Sequence, residues 1–397
     1  MRHKVLFVII CFLSLSAKSQ NVVSYNLEAQ MDAIAQLWNN DSLIIWGFKD
    51  LNNPLSTQAT LPGPTIYCEE GDSVIITMTN PSFEAHTIHL HGFDVDQNND
   101  GVPSTSFFVQ PGESGTYSFK ADYTGNFLYH CHVGSVLHLQ MGMYGAVIVR
   151  PANGVKEVYS GGPAYDREYI WLTHEIDKSW HDDYTAIGAF TNYFPDHFQI
   201  NGKSKNLIYN DSSVSIYNAF IGERLHLRLL NIGYGINRYI FPAGLRPQVL
   251  TSDGRVLDHT YSIDTFEIYP GERYSLLLQA NQLLQDSIQV QYLSMYRKEY
   301  WGTELIPIEV NALSSIDKKA NRTFSIYPNP ASNRIYIESD ENAELQLFNL
   351  NGQLIESKKI SKNSFLSIAD LPNGVYIVKK TSKKGQIHSK LLIKKAP

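Results

Sequence analysis

The chain has few cysteines: three in 397 residues, at positions 11, 68 and 131. Cys11 falls inside the apolar run Val5–Leu15, which follows Arg2 and Lys4 and ends at the small-x-small triplet Ala17-Lys18-Ser19. That is the pattern of a secretory signal, so residues 1–19 are expected to be removed before Gln20. Cys68 and Cys131 then remain in a compartment that permits disulfides, but two cysteines make no disulfide scaffold. Cys68, in Thr65-Ile-Tyr-Cys68, reads as a buried strand thiol, whereas Cys131 stands between two histidines and needs another explanation. After the signal no apolar run approaches the roughly 20 residues that span a bilayer. The body of the chain is also short of positive charge. Lys318–Pro397 carries 14 Lys and Arg against 6 Asp and Glu, and the first 20 residues add three cations, so residues 21–317 carry about −17 while the whole chain is −6. An acidic body argues against a nucleic-acid partner and favours cationic or neutral ones.

What is present is an all-β pattern. Short alternating or β-branched runs, such as Asp72-Ser-Val-Ile-Ile-Thr-Met-Thr79 and Leu225-His-Leu-Arg-Leu-Leu230, are punctuated by Gly, Pro, Asn and Asp. Pro-Gly-Glu before an alternating strand occurs twice, at Pro111-Gly112-Glu113 and Pro270-Gly271-Glu272. The repetition predicts two related β-sandwich domains, at 20–151 and 152–313, joined near Pro151–Pro163. After a polar linker at 314–322, residues 323–397 form a third unit, with Phe324-Ser-Ile-Tyr-Pro-Asn-Pro330, Leu345-Gln-Leu-Phe-Asn-Leu-Asn-Gly352 and Asp370-Leu-Pro-Asn-Gly-Val-Tyr-Ile-Val378. These phrases resemble the C-terminal sorting domain of the type IX secretion system. The resemblance implies a small β-sandwich, recognition by that secretion machinery, and passage through the periplasm and outer membrane to the exterior or the cell surface.

Every histidine between residues 21 and 150 lies in one of two segments: His86-Thr-Ile-His89-Leu-His91, and His130-Cys131-His132 continuing to His138 and Met143. A type 1 copper site takes one thiolate, two imidazoles and a weak axial thioether, because soft sulfur stabilises Cu(I). Cys131, His86, His138 and Met143 supply that set, with Met141 as the competing axial residue. Strand periodicity adds a second expectation. If the Cys131 thiolate faces one side of its strand, His130 and His132 face the other, and His89 and His91 share a face of their own. Two His-x-His pairs on adjacent strands can hold further copper, with the backbone from Cys131 to His130 or His132 as a short electron path.

At these residues the chain resembles the multicopper oxidases and their relatives, the copper nitrite reductases. Leu61-Pro-Gly-Pro-Thr-Ile66, Asp100-Gly-Val-Pro103, Tyr129-His-Cys-His132 and Gly142-Met-Tyr-Gly-Ala-Val-Ile-Val149 read as that family's phrases, in its order. Ile200-Asn-Gly202, Leu229-Leu-Asn-Ile-Gly233 and Tyr269-Pro-Gly-Glu-Arg273 match its second domain more loosely. The resemblance implies two Greek-key sandwiches of cupredoxin type, type 1 copper with type 2 or type 3 copper beside it, and one-electron oxidation of a small-molecule or metal-ion reductant coupled to reduction of dioxygen or nitrite. Two departures stand out. Five residues rather than three separate His132 from His138, which alters the loop over the type 1 site. The family's trinuclear cluster takes eight histidines, and only His89, His91, His130 and His132 are evident. The second domain has no His-x-His. His174, His181, His197, His226 and His259 are scattered and read as surface or structural histidines, His226 alternating with leucines as a solvent-facing residue would.

Three outcomes stay open at this stage: a site completed by facing subunits, a mononuclear site completed by a neighbouring second domain, and an electron carrier without turnover. The missing histidines predict a homo-oligomer with the histidine face at its interface. The run Asp94–Gly101 mimics a calcium loop, but its glycine comes two places too late for the EF-hand pattern, so it reads as a solvated acidic turn that can attract a cationic reductant.

Overall fold

The computed structural model describes residues 21–185, 187, 192–312, 324–339, 341–349, 353–382 and 387–395. The expected signal peptide (1–19) and linker (314–322) lie outside the described residues. The chain divides into two compact units between Asn311 and Ala312.

The first unit contains two β-sandwiches. The first is built from β1 (Val22–Gln36), β2 (Ser42–Asp50), β3 (Ile66–Glu69), β4 (Ser73–Thr79), β5 (His89–His91), β6 (Ser114–Lys120), β7 (Gly125–His130) and β8 (Tyr144–Arg150). One sheet runs β2-β1-β4-β6 and the other β3-β8-β7-β5. Strand β4 alternates half-buried and buried positions, as a strand with one face on a core should. Strands β7 and β8 are buried along nearly their whole length, because both of their faces are covered. Phe127, Tyr129, Cys131, Val147 and Val149 belong to the core of the first sandwich. On the opposite face, Leu128, Tyr144, Ala146 and Ile148 pack against Leu172, Leu230 and Ile232 of the second sandwich. Arg228 clamps this junction, donating to Asn126 Oδ1 at 2.5 Å and to Glu168 Oε1 at 2.7 Å.

The second sandwich, with a six-stranded and a five-stranded sheet, repeats the plan of the first. Parallel pairing of β1 with β4, and antiparallel pairing of β4 with β6, recur in the strands Arg167–Ile176, Arg224–Asn231 and Arg273–Gln279. The two Pro-Gly-Glu turns occupy equivalent places. Gly112 N–H donates to Asn80 O at 2.7 Å and Gly271 N–H to Asn231 O at 2.8 Å. Both glycines have φ near +81°, a conformation that disfavours any side chain.

The second unit is a small sandwich of a three-stranded and a four-stranded sheet. Its strand Arg334–Ser339 alternates exposed and buried residues, and Ile335, Ile337, Leu345, Leu347, Val378 and Leu392 form its core. The all-β architecture read from the sequence therefore holds in all three sandwiches.

Candidate metal centre

Two clusters of side chains that could hold a metal ion lie on opposite faces of β7 and its continuation. Cross-strand register places them there. His89 stands opposite His130 and His91 opposite Leu128, so these three histidines share the face that carries Leu128. Cys131 follows His130 and turns inward, with Met143 opposite it through the Cys131 N–H to Met143 O bond of 3.0 Å. Directly opposed residues of an antiparallel pair point the same way. Met143 therefore faces the Cys131 side and is fully buried in the same core. Met141 reaches that core from a helix instead.

His86, Cys131 and His138 bring their donor atoms within 4.8 Å of one another. Cys131 Sγ lies 3.2 Å from His138 Nδ1 and 3.7 Å from His86 Nδ1. Bonds of about 2.0–2.3 Å to nitrogen and sulfur at 120° give a separation of ~3.7 Å, so the three atoms fit around one small ion. His138 rides on helix α1 (Ser135–Met141), which absorbs the two extra residues after His132. The helix opens at Gly134 in the left-handed region and closes at Gly142, whose N–H donates to His138 O and Leu139 O. The sequence reading placed a loop here; the flanking glycines were the signal for a capped helix. Burial pushes the Cys131 thiol up to about 11 and His86 down to about 3. It also lowers His138, against the pull of Glu84. The Trp46 ring closes the site, edge-on to His138 at 5.2 Å.

The second cluster joins His89, His91 and His130 within 4.8 Å. His91 Nδ1 and His130 Nε2 are 3.3 Å apart, the spacing of two ligands about 2.0 Å from a common ion. The His132 ring lies 5.1 Å from His89 and stacks on His130 at 5.8 Å. His130 is directed by its own Nδ1 to Cys131 O contact of 3.0 Å, and His89 by Nδ1 to Asp100 O at 2.7 Å and Asp100 Oδ1 at 3.3 Å. Gly101 makes that last contact possible: a Cβ there would stand 2.0 Å from Ile88 O. Asp100 thus touches the site, a role that the sequence reading, with Asp100-Gly-Val-Pro103 as a family phrase and Asp94–Gly101 as an acidic turn, did not assign. Within that turn Asp96 caps the short 3-10 helix Gln97–Asn99. Burial, then the neighbouring Arg273, lowers His91 to about 4, and burial lowers His130 to about 3. Both rings are therefore neutral, each with one unprotonated nitrogen able to bind metal at neutral pH. His89, His91 and His132 keep partial solvent exposure, so this cluster is open on one side.

The histidines of the second sandwich do not converge. His174 is fully buried with no hydrogen bond at either ring nitrogen. His181 is buried and bonds through Nδ1 to Ile44 O at 2.8 Å. His197 pairs with Asp196, and His259 is exposed. His226 corrects the sequence reading. It is fully buried rather than solvent-facing, because the segment before its sheet folds over it and brings the Tyr165 ring to 5.0 Å. Cys68 is a free, buried strand thiol.

Among known proteins, residues 50–154 and 171–294 each match the family described as multicopper oxidase, together more than half of the chain. Residues 325–394 match the secretion system C-terminal sorting domain. Laccase-15 of Oryza sativa subsp. japonica is 33% identical over 234 residues, covering 56% of this chain and 37% of its own length. The chain thus spans little more than a third of that relative. The blue copper oxidase from Nitrosomonas europaea superposes with a TM-score of 0.59 at 26% identity, over 73% of this chain and 86% of its own. The copper nitrite reductase of the same organism gives 0.57 at 25% identity, over 72% and 94%.

Proposed function

Because the chain belongs to the multicopper oxidase family, we propose that it is an exported copper-dependent oxidoreductase with two coupled sites in its first sandwich, residues 20–151. His86, Cys131, His138 and Met143 hold type 1 copper, and His89, His91, His130 and His132 hold the second copper. Bound at these places, copper supplies one-electron acceptance from a small-molecule or metal-ion reductant at the thiolate and reduction of dioxygen or nitrite at the imidazoles. The observation that carries the reading is the reversal of direction along one strand. Cys131 points into one cluster and its neighbour His130 into the other, so a single peptide unit joins the two. The donor sets fit the metal: a thiolate with imidazoles and a thioether on one side, imidazoles alone on the other. Since burial raises the Cys131 thiol, loading must displace a proton there.

The open side of the imidazole cluster supports a homo-oligomer in which a second subunit completes the ligand set. The sorting domain implies export to the exterior or cell surface. We assign the route to the type IX machinery. The second reading is a copper-binding electron carrier, favoured by the presence of four rather than eight imidazoles.

Copper per mature chain, measured beside sedimentation and assays of oxygen uptake and nitrite consumption, separates the two. Two or more coppers with turnover, lost in His130→Gln while the visible colour persists, support the enzyme. One copper and no turnover move the assignment to the carrier. A monomer that turns over at full rate overturns the oligomer.

A further inference from the structure

We infer that Ser82 and Glu84 are positioning residues that fix both imidazoles of the thiolate centre and set its reduction potential; the inference rests on the type 1 reading of His86, Cys131 and His138. Both residues lie in one turn, Asn80–Glu84, between β4 and β5. Ser82 Oγ stands 2.9 Å from His86 Nε2. The same hydroxyl has Asn80 Oδ1 at 2.6 Å and Glu84 O at 3.2 Å, both of which can only accept. The serine proton therefore goes to one of them, and the hydroxyl receives the His86 Nε2–H. That places the lone pair of His86 on Nδ1, the atom facing Cys131 Sγ. Glu84 Oε2 does the same for His138, accepting from Nε2 at 3.2 Å and leaving Nδ1 toward the sulfur. An outer hydrogen bond of this kind selects the tautomer and orientation of a ligating histidine.

The second sandwich supplies an internal control. Its turn begins at Asn231, whose Nδ2 donates to Gly235 O and Ile268 O as Asn80 Nδ2 donates to Glu84 O and Val109 O. Asn237 then takes the place of His86, paired with Ile268 as His86 is with Val109. Gly233 and Gly235 fall at the places of Ser82 and Glu84. The turn therefore needs its asparagine in both sandwiches and needs neither the serine nor the glutamate. These two side chains are additions to the turn, found where it carries ligands. The imidazoles they hold are sealed, His138 being 3% exposed and His86 0%, so the 41%-exposed Glu84 side chain is the charged group beside the centre. A carboxylate there favours the more positive oxidation state and lowers the potential.

The test is a redox titration of the visible band in the copper-loaded, full mature chain. Glu84→Gln keeps an acceptor oxygen and removes the charge. It should raise the midpoint by at least a tenfold change in the equilibrium constant, ~59 mV for one electron, with the band retained. Ser82→Ala should shift the band and the copper EPR parameters, and Ser82→Thr should restore them. Unfolding midpoints in denaturant should stay close to the parent for all three. A wild type without a thiolate band refutes the type 1 reading itself. A normal band with Glu84→Gln leaving the potential in place overturns the role of Glu84, and an unmoved Ser82→Ala spectrum overturns that of Ser82.

Discussion

The two sandwiches of the first unit share strand order, a Pro-Gly-Glu turn and an asparagine-anchored turn, yet one gathers five histidines into two clusters and the other buries three histidines outside any such cluster among the described residues. Burial alone therefore does not mark a ligand. His174 and His226 are as deeply buried as His86 and lie in no cluster of possible metal ligands among the described residues, whereas His86 and His130 each bring a ring nitrogen within 4.8 Å of other ligand atoms. The difference lies at particular places: Asn237 where the first sandwich has His86, and glycines where it has Ser82 and Glu84.

The severest way to break the comparison is Cys131→Ser. If the thiolate organises the first site, the visible charge-transfer band should vanish completely in the copper-loaded variant, while the imidazole cluster on the opposite face still binds metal. Absorption and copper content measured together check this, and a colour that survives would remove Cys131 from the site.

A second substitution asks whether the blank turn can be furnished. A Cβ at Gly233 would stand 2.1 Å from Glu175 Oε2, and that buried carboxylate is held by the backbone N–H groups of Tyr234 and Gly235. Gly233→Ser should therefore cost about 1–3 kcal/mol of stability, as overpacking does. Ser82→Gly at the matching place should cost far less. Urea unfolding of both variants measures the contrast, and equal losses would show that the two turns are not equivalent.

Much of this was legible in the sequence, for a physical reason. Metal ligands are chemically distinctive and strand alternation is regular, so the opposite facing of Cys131 and His130 followed from spacing alone. Asp100, Ser82, Glu84 and Arg273 were not legible, because they reach the sites through turns and contacts between sandwiches that leave no periodic trace. His226 misled for the same reason. Its alternation with leucines was real, but the face it occupies is covered by a distant segment. Helix α1 was hidden by its brevity, with only Gly134 and Gly142 to mark its ends.

Acid should reveal the cost of a buried histidine. Burial, then the charge of His181, holds His174 at about 3, below its ordinary 6.5. Above pH 6.5 both folded and unfolded chains keep this ring neutral, so it adds no slope. Between 6.5 and 3 the unfolded chain takes up a proton that the folded chain refuses, and stability falls as pH falls, by about 1.4 kcal/mol per unit at most. His174→Leu should flatten the decline in unfolding midpoint from pH 6.5 to 4.5 in metal-free protein. A slope in this variant identical to the parent's would mean that His174 titrates normally.

The smallest effect is expected at the axial position. Met143 is held by its backbone, its N–H donating to His138 O at 2.9 Å and its carbonyl accepting from Cys131 N–H. Its side chain faces the thiolate because it stands opposite Cys131 across the sheet. Leucine has nearly the same volume, so Met143→Leu should cost less than about 1.5 kcal/mol in stability. It removes only the weak thioether, leaving the sulfur and two imidazoles that give the site its colour. The visible band should persist and the potential should rise, since a hydrocarbon in place of the weak axial ligand makes the surroundings of the Cys131 sulfur less polar and so disfavours the more highly charged oxidation state. Met141→Leu, altering a residue delivered by the helix, should leave the potential where it was. The two potentials decide between the methionines: a shift confined to Met141→Leu would hand the axial role to Met141 and show that cross-strand pairing, which orients Met143, does not determine which thioether serves.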